Sequence, residues 1–242
     1  MNADKRSLIE TLAGQIKGLE RQGIAAVQRA CIPSQIKELD EILPGGGLPL
    51  GALTEVLAED GAGALTLLLT LARSAIERGN AWAVVDPHRT FYPPAAMALG
   101  LDLSRLILLR PTLQQTGWCF TQVLRCAEIG ASFLATRSGD NMVYRRFQLA
   151  VERGGGQGFL VRPTDAMRKP CWAALRLRVM ELGQPCALNI SIGAHRTIRL
   201  NVLHVRGGMT KARPSPAPLQ LPLPTISGVS EVSVAAVALA GS

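Results

Sequence analysis

Leu53-Thr54-Glu55-Val56-Leu57-Ala58-Glu59-Asp60-Gly61-Ala62-Gly63-Ala64-Leu65-Thr66 passes from a short apolar strand, through a loop with two glycines, into an apolar helix predicted to reach residue 78. Strand, glycine-bearing loop and helix are the framework of a phosphate-binding loop. The chemistry also needs a lysine that reaches the β- and γ-phosphates and a hydroxyl on the metal ion. The final glycine is present as Gly63. Ala64 stands where the lysine belongs, and Leu65 stands where Ser or Thr belongs. Thr66 comes one place late. Glu59 and Asp60 put two carboxylates at a helix N-terminus, where they occupy the positive end of the dipole and repel an entering triphosphate. Glu59, Asp60, Gly61, Gly63, Ala64 and Leu65 therefore form a degenerate phosphate loop, kept for its shape as a helix-start turn. No nucleotide, metal ion or other cofactor is expected in it.

Outward from this loop the pattern alternates. Downstream come strands at 81–85, 106–109, 132–135 and 158–161, with helices at 94–99, 116–128 and 143–152 between them. Such alternation predicts a mostly parallel sheet covered by helices on both faces. From Ala173 the pattern changes. Residues 175–179, 187–192 and 199–205 alternate apolar with polar and predict half-solvated antiparallel strands at the sheet edge. Upstream, Leu8, Leu12, Ile16, Leu19 and Val27 give residues 1–31 the character of an amphipathic helix, a docking element outside the core. Ser34 is expected to cap a short helix ending at Ile42. Residues 32–208 form the core. Residues 209–242 carry Pro214, Pro216, Pro218, Pro222 and Pro224 and read as a flexible tail, either disordered or ordered on a partner.

Apolar residues make up 48% of the 242, enough for one packed α/β domain and too many for wholesale disorder. Aromatics are 4%, so the core is expected to be mostly aliphatic and base-stacking residues are few. The formal charge of +8 is unevenly placed: residues 137–213 hold fourteen basic residues against four acidic ones. Arg137, Arg145, Arg146, Arg153, Arg162, Arg168, Lys169 and Arg206 are the candidates for binding an anion or a partner. The five cysteines are widely spaced, with no histidine or second pair to complete a metal shell, and read as free thiols in a reducing compartment. No signal core or membrane span is evident, so a cytoplasmic protein is expected, nucleoid-associated during DNA damage.

Leu39-Asp40, the run from Leu43 to Gly51, Thr54-Glu55-Val56, Val84-Val85-Asp86, Leu99-Gly100-Leu101-Asp102 and Leu106-Ile107-Leu108-Leu109-Arg110-Pro111 resemble the RecA recombinases over residues 39–136. The resemblance implies a RecA-like P-loop NTPase core. The departures fall on the catalytic positions. The family's lysine corresponds to Ala64, its metal-binding hydroxyl to Leu65, its water-activating glutamate to His88 and its Walker B aspartate to Ala135. The helix around Trp118 and Gln122, Arg145-Arg146-Phe147-Gln148-Leu149-Ala150, the run from Ala173 to Val179, and Arg206-Gly207-Gly208 resemble the ImuA family, sometimes labelled SulA-like.

That second resemblance implies a non-catalytic adaptor in DNA damage-induced translesion synthesis. Its implied partners are an ImuB-like inactive relative of Y-family polymerases and, indirectly, an error-prone replicative-type DNA polymerase, with RecA or a second copy as further partners. Two alternatives stay open. One is a DNA-binding modulator of recombination or the SOS response, with weak, salt-dependent phosphate contact. The other is a weak ATPase. A His88–Asp86 general-base pair is also weighed; Asp86 is read in preference as a loop-capping carboxylate.

Overall fold

The computed structural model describes residues 30–137, 141–182, 196–206 and 219–223. The predicted helix within residues 1–31, the predicted strand at 187–192 and His195 lie outside the described residues, apart from the last two positions of the former. β1 (Cys31–Ile32) pairs antiparallel with β2 (Leu48–Pro49), and α1 (Lys37–Ile42) lies between them in the chain. Ser34 is not the cap of α1. Ile36 holds that position, while the Ser34 amide donates to both oxygens of Asp40 at 3.0 and 3.2 Å and its hydroxyl donates to Ile36 O at 3.1 Å. The serine is wholly buried, so its polar groups are satisfied inside the turn.

The chain then alternates through β3 (Ala52–Leu57), α2 (Ala64–Leu71), α3 (Arg73–Arg78), β4 (Ala81–Val85), α4 (Pro93–Ala98) and β5 (Leu106–Leu109). α5 (Thr116–Arg125), β6 (Ile129–Ala135), α6 (Asn141–Gly154) and β7 (Gln157–Arg162) follow, then β8 (Leu175–Leu182), β9 (Arg196–Val205) and β10 (Leu219–Leu223). Among the described residues these strands form one sheet in the order β10-β9-β8-β3-β7-β6-β4-β5. The six strands from β8 to β5 are parallel, and β9 and β10 add antiparallel pairs at one edge. It is a mixed sheet of mostly parallel strands flanked by helices, consistent with an α/β RecA-like core. β3 sits inside it, all six of its residues buried, as a strand covered on both faces must be.

Two apolar clusters cover the two faces. One joins Leu67, Leu68 and Leu71 of α2 to Trp82, Phe133, Phe159 and Leu177. The other joins Phe120 of α5 and Phe147 of α6 to Leu53, Leu134 and Leu160. The few aromatics are concentrated here. All five phenylalanines are buried, Phe133 and Phe159 stack at 5.1 Å, and Phe120 meets Phe147 edge-on at 4.9 Å. The core is thus less purely aliphatic than the composition suggests.

Four features differ from expectation, besides shifts of a few residues at other element ends. The helix after the glycine loop breaks at Ala72 into α2 and α3, and α5 stops at Arg125. β8 pairs antiparallel with β9 as expected, but on its other side it runs parallel to β3, so with Leu175, Arg176 and Leu177 buried it is an inner strand rather than a half-solvated edge. The proline-rich tail contributes β10, so residues 219–223 are an edge strand rather than free chain. Pro222 is tolerated there because an edge strand need not donate on both sides. No described helix is long and apolar enough to cross a membrane.

Candidate functional site

The loop between β3 and α2 stands at the C-terminal ends of the parallel strands, the usual place for a site in such a sheet. Ala58 is held to the neighbouring strand by its amide, which donates to Arg162 O at 3.0 Å. Ala62 N then donates to Glu59 O at 3.2 Å, which tightens the turn. Gly63 takes a left-handed φ of 79° immediately before α2, a conformation that a side chain would strain. Ala64, at the lysine position, is buried, and Leu65 is half-buried against the core. Neither can offer an ammonium or a hydroxyl. No side chain caps the start of α2.

The two carboxylates do not wait for a ligand. Glu59 accepts a hydrogen bond from the Thr164 hydroxyl, and Asp60 pairs with the Arg137 guanidinium. Thr164 follows β7 and Arg137 follows β6, so the loop is tied to the two segments beside it. Arg137, a candidate anion ligand, faces Asp60 while remaining exposed. Both members of that pair are well exposed, 69% and 61%, which limits its contribution to less than about 1 kcal/mol.

Asp86 caps the turn after β4. Its carboxylate accepts from Thr90 N at 2.9 Å and Phe91 N at 3.1 Å, with Arg110 Nε at 3.8 Å. His88 lies exposed two residues on, with no hydrogen-bond partner among the described residues, and the two make no acid–base pair. Arg89 adopts a left-handed φ of 57°, uncommon for a side-chain-bearing residue. Ala135 ends β6, exposed, where a metal-binding carboxylate would be needed.

The remaining arginines do not gather on one face. Arg162 is 4% exposed and makes an ion pair with Glu55 at 2.5 Å while its guanidinium lies 4.1 Å from the Tyr144 ring centre. This corrects its assignment as an anion ligand: a buried, paired guanidinium is closed to an outside anion. Arg145, Arg146 and Arg153 are exposed on α6, and Arg145 lies 5.3 Å from the Trp172 ring. Arg168 and Lys169 are exposed after β7, where Lys169 is 3.7 Å from Asp165. Arg206 is exposed beyond β9, and its amide donates to Ala174 O near the N-terminal half of β3, away from Arg137.

Sequence reasoning missed Glu55. It lies mid-strand, 2% exposed, and joins Arg162 to Arg176, whose Nε is 2.6 Å from Oε2. Arg176 also donates to Ala166 O at 2.7 Å and Lys169 O at 3.2 Å, pinning the turn after β7. The Cys171 thiol donates to Glu55 at 3.1 Å. Burial, the Glu55 charge and this hydrogen bond push the thiol up to about 12. The available signal was a lone glutamate inside an apolar strand, which must find a cation. Among the described residues no cluster of His, Cys, Asp and Glu is suited to a metal ion.

No family model matches the chain. Among curated relatives it is similar to Protein RecA of Chlorobium chlorochromatii, 34% identical over 89 residues, 37% of this chain and 25% of that protein. It is 32% identical to Protein RecA of Lactobacillus delbrueckii subsp. bulgaricus over 90 residues, 37% of this chain and 27% of that protein. With Protein RecA of Ruegeria pomeroyi it shares 30% over 121 residues, 46% of this chain and 34% of that protein. The matches thus span about a quarter to a third of the length of these curated relatives. They support a RecA-like core.

Proposed function

We propose that this chain is a non-catalytic accessory protein in the handling of DNA damage, a RecA-like core that binds partners and does not turn over ATP. The observation that carries this is the loop after β3: aliphatic Ala64 and Leu65 replace the phosphate and metal ligands, while Glu59 and Asp60 are engaged by Thr164 and Arg137. A triphosphate carries negative charge into whatever cradle holds it, and this cradle offers two carboxylates, no ammonium, and one guanidinium, Arg137, that already faces Asp60. His88 and Ala135 supply neither a water-activating nor a metal-binding carboxylate.

The finer reading is an adaptor for translesion synthesis, docking an ImuB-like polymerase relative and through it supporting an error-prone polymerase. It rests on the resemblance of the Trp118, Arg145–Ala150 and Ala173–Val179 segments to the ImuA family. Calorimetry with Mg-ATP, followed by a hydrolysis assay with and without single-stranded DNA, tests the core of the proposal. No binding heat and no phosphate release are expected. Micromolar nucleotide affinity, or turnover stimulated by DNA, overturns it in favour of a weak ATPase. Co-purification with an ImuB-like protein tests the finer reading.

A further inference from the structure

α5 and α6 lie side by side and parallel. A Cβ built on Gly117, at the start of α5, would lie 3.6 Å from Val143 near the start of α6, while Gly154 at the end of α6 abuts Leu124 O at the end of α5. Each helix buries one face in the sheet through Phe120 and Phe147. At 100° per residue the opposite faces follow directly. On α5, Trp118 and Arg125 point outward on the side toward α6. On α6, Met142, Arg146, Leu149 and Arg153 recur at i, i+4, i+7 and i+11 and point outward.

The apolar members are unusually bare. Trp118 is 69% exposed, Met142 57% and Leu149 48%. Single exposed apolar residues are ordinary, but a tryptophan and two long aliphatic side chains on adjoining helix faces make a patch of the kind that marks an interaction surface. Arg125, Arg146 and Arg153 make no ion pair among the described residues. Arg125 and Arg153 sit in last turns, where the helix dipole favours them, but Arg146 is mid-helix and has no such reason. The one acid of α6, Glu152, lies on the opposite flank, beside Gly51, and accepts from Gln148 at 2.8 Å.

We infer that the furrow between α5 and α6 is a docking site for an acidic amphipathic helix of a partner protein, with Trp118, Met142 and Leu149 as apolar anchors and Arg146 and its neighbours meeting carboxylates. A protein helix fits better than single-stranded nucleic acid, because two of the three anchors are aliphatic and give bases no platform to stack on. The chain's own longer segments outside the described residues do not suit: residues 1–29 are net basic, residues 183–195 and 207–218 contain no acid, and residues 224–242 contain one. The inference deepens the accessory reading and rests on it for its biological sense, although the surface chemistry stands by itself.

The test uses the full chain and a fluorescent synthetic helical peptide with leucines at i, i+3, i+4 and i+7 and glutamates elsewhere. Controls are the same peptide with lysines for glutamates, and a thymidine oligonucleotide. The acidic peptide is expected to bind at least tenfold more tightly than the basic one. Trp118→Ala should weaken it by about 30-fold, and Arg146→Glu by a similar factor with a shallower salt dependence. Lys37→Glu, on α1, should leave affinity unchanged, and circular dichroism should show every variant folded. Equal affinity for both peptides, indifference to Trp118→Ala, or oligonucleotide binding lost with Arg146→Glu would overturn the inference. ATP turnover with peptide binding intact would sink the accessory reading and leave the furrow standing, whereas absence of both turnover and peptide binding would do the reverse.

Discussion

Glu55 and Arg176 face each other in register across the parallel β3–β8 ladder, and their side chains meet at 2.6 Å with both nearly excluded from solvent. Arg162, on the strand at the other side of β3, completes a buried group with two positive charges and one negative. Arg176 directs its remaining donors to backbone carbonyls of the turn after β7, which is how the surplus charge is accommodated. The cluster therefore knits β7, β3, β8 and that turn beneath the loop that carries Glu59 and Asp60.

Removing Glu55 leaves two guanidiniums uncompensated in the interior. Glu55→Ala is expected to cost about 3–5 kcal/mol, since stranding a buried charge is far more expensive than the pair is favourable. Urea unfolding followed by circular dichroism measures it. Replacing Glu55, Arg162 and Arg176 together by apolar residues of similar volume should recover much of the loss. Equal destabilisation by the single and the triple variant would contradict this account.

The Cys171 thiol, held up to about 12 against an ordinary 9.0, gives a pH signature. Below pH 9 both folded and unfolded chains keep this proton, and nothing is lost. Between about 9 and about 12 the unfolded chain releases it while the folded chain retains it, so stability falls as pH rises, by up to about 1.4 kcal/mol per pH unit. Cys171→Ala should flatten that part of the profile. Alkylation with iodoacetamide at pH 8 should label exposed Cys126 well before Cys171.

Much of this architecture is legible in the residues. The strand, glycine loop and helix around Gly63 announce themselves because each has a distinct local pattern, and the aliphatic character of Ala64 and Leu65 is plain from their identity. What escapes is long-range. Arg162 finds Glu55 across 107 residues of chain, and nothing local separates it from solvated arginines such as Arg146. β10 escapes for a different reason: its prolines signal loop, and only its place at a sheet edge makes them tolerable. The insertion of β7 between β3 and β6 is likewise a matter of pairing rather than of periodicity.

Restoring the missing ligands with Ala64→Lys and Leu65→Thr should yield no ATPase activity. His88 and Ala135 would still lack their carboxylates, and Asp60 and Glu59 would still crowd the loop. A malachite-green phosphate assay should read background for the double variant. Measurable turnover would show that those two ligands alone limit the site.

The Asp60–Arg137 pair should matter little for stability. Both side chains are more than half exposed, so a double-mutant cycle with Asp60→Asn and Arg137→Gln should give a coupling below about 1 kcal/mol that shrinks in high salt. A larger, salt-insensitive coupling would mean that the loop is anchored far more firmly than its exposure allows.

Gly154→Ala sets two effects against each other. Alanine is favoured over glycine in a helix by up to about 1 kcal/mol, and a glycine at the end of α6 would gain less than that. Against this, a Cβ at position 154 would collide with the Leu124 carbonyl oxygen and press on the backbone of Arg125 at the end of α5. Backbone cannot rotate aside as a flexible side chain can, so the helices must part, at the roughly 1–3 kcal/mol typical of overpacking. The collision should win, giving a net loss of about 1–2 kcal/mol in thermal or urea unfolding. Because the parting widens the furrow bounded by Trp118 and Arg146, peptide affinity should fall with stability; a variant as stable as the parent would show that α5 is free to shift.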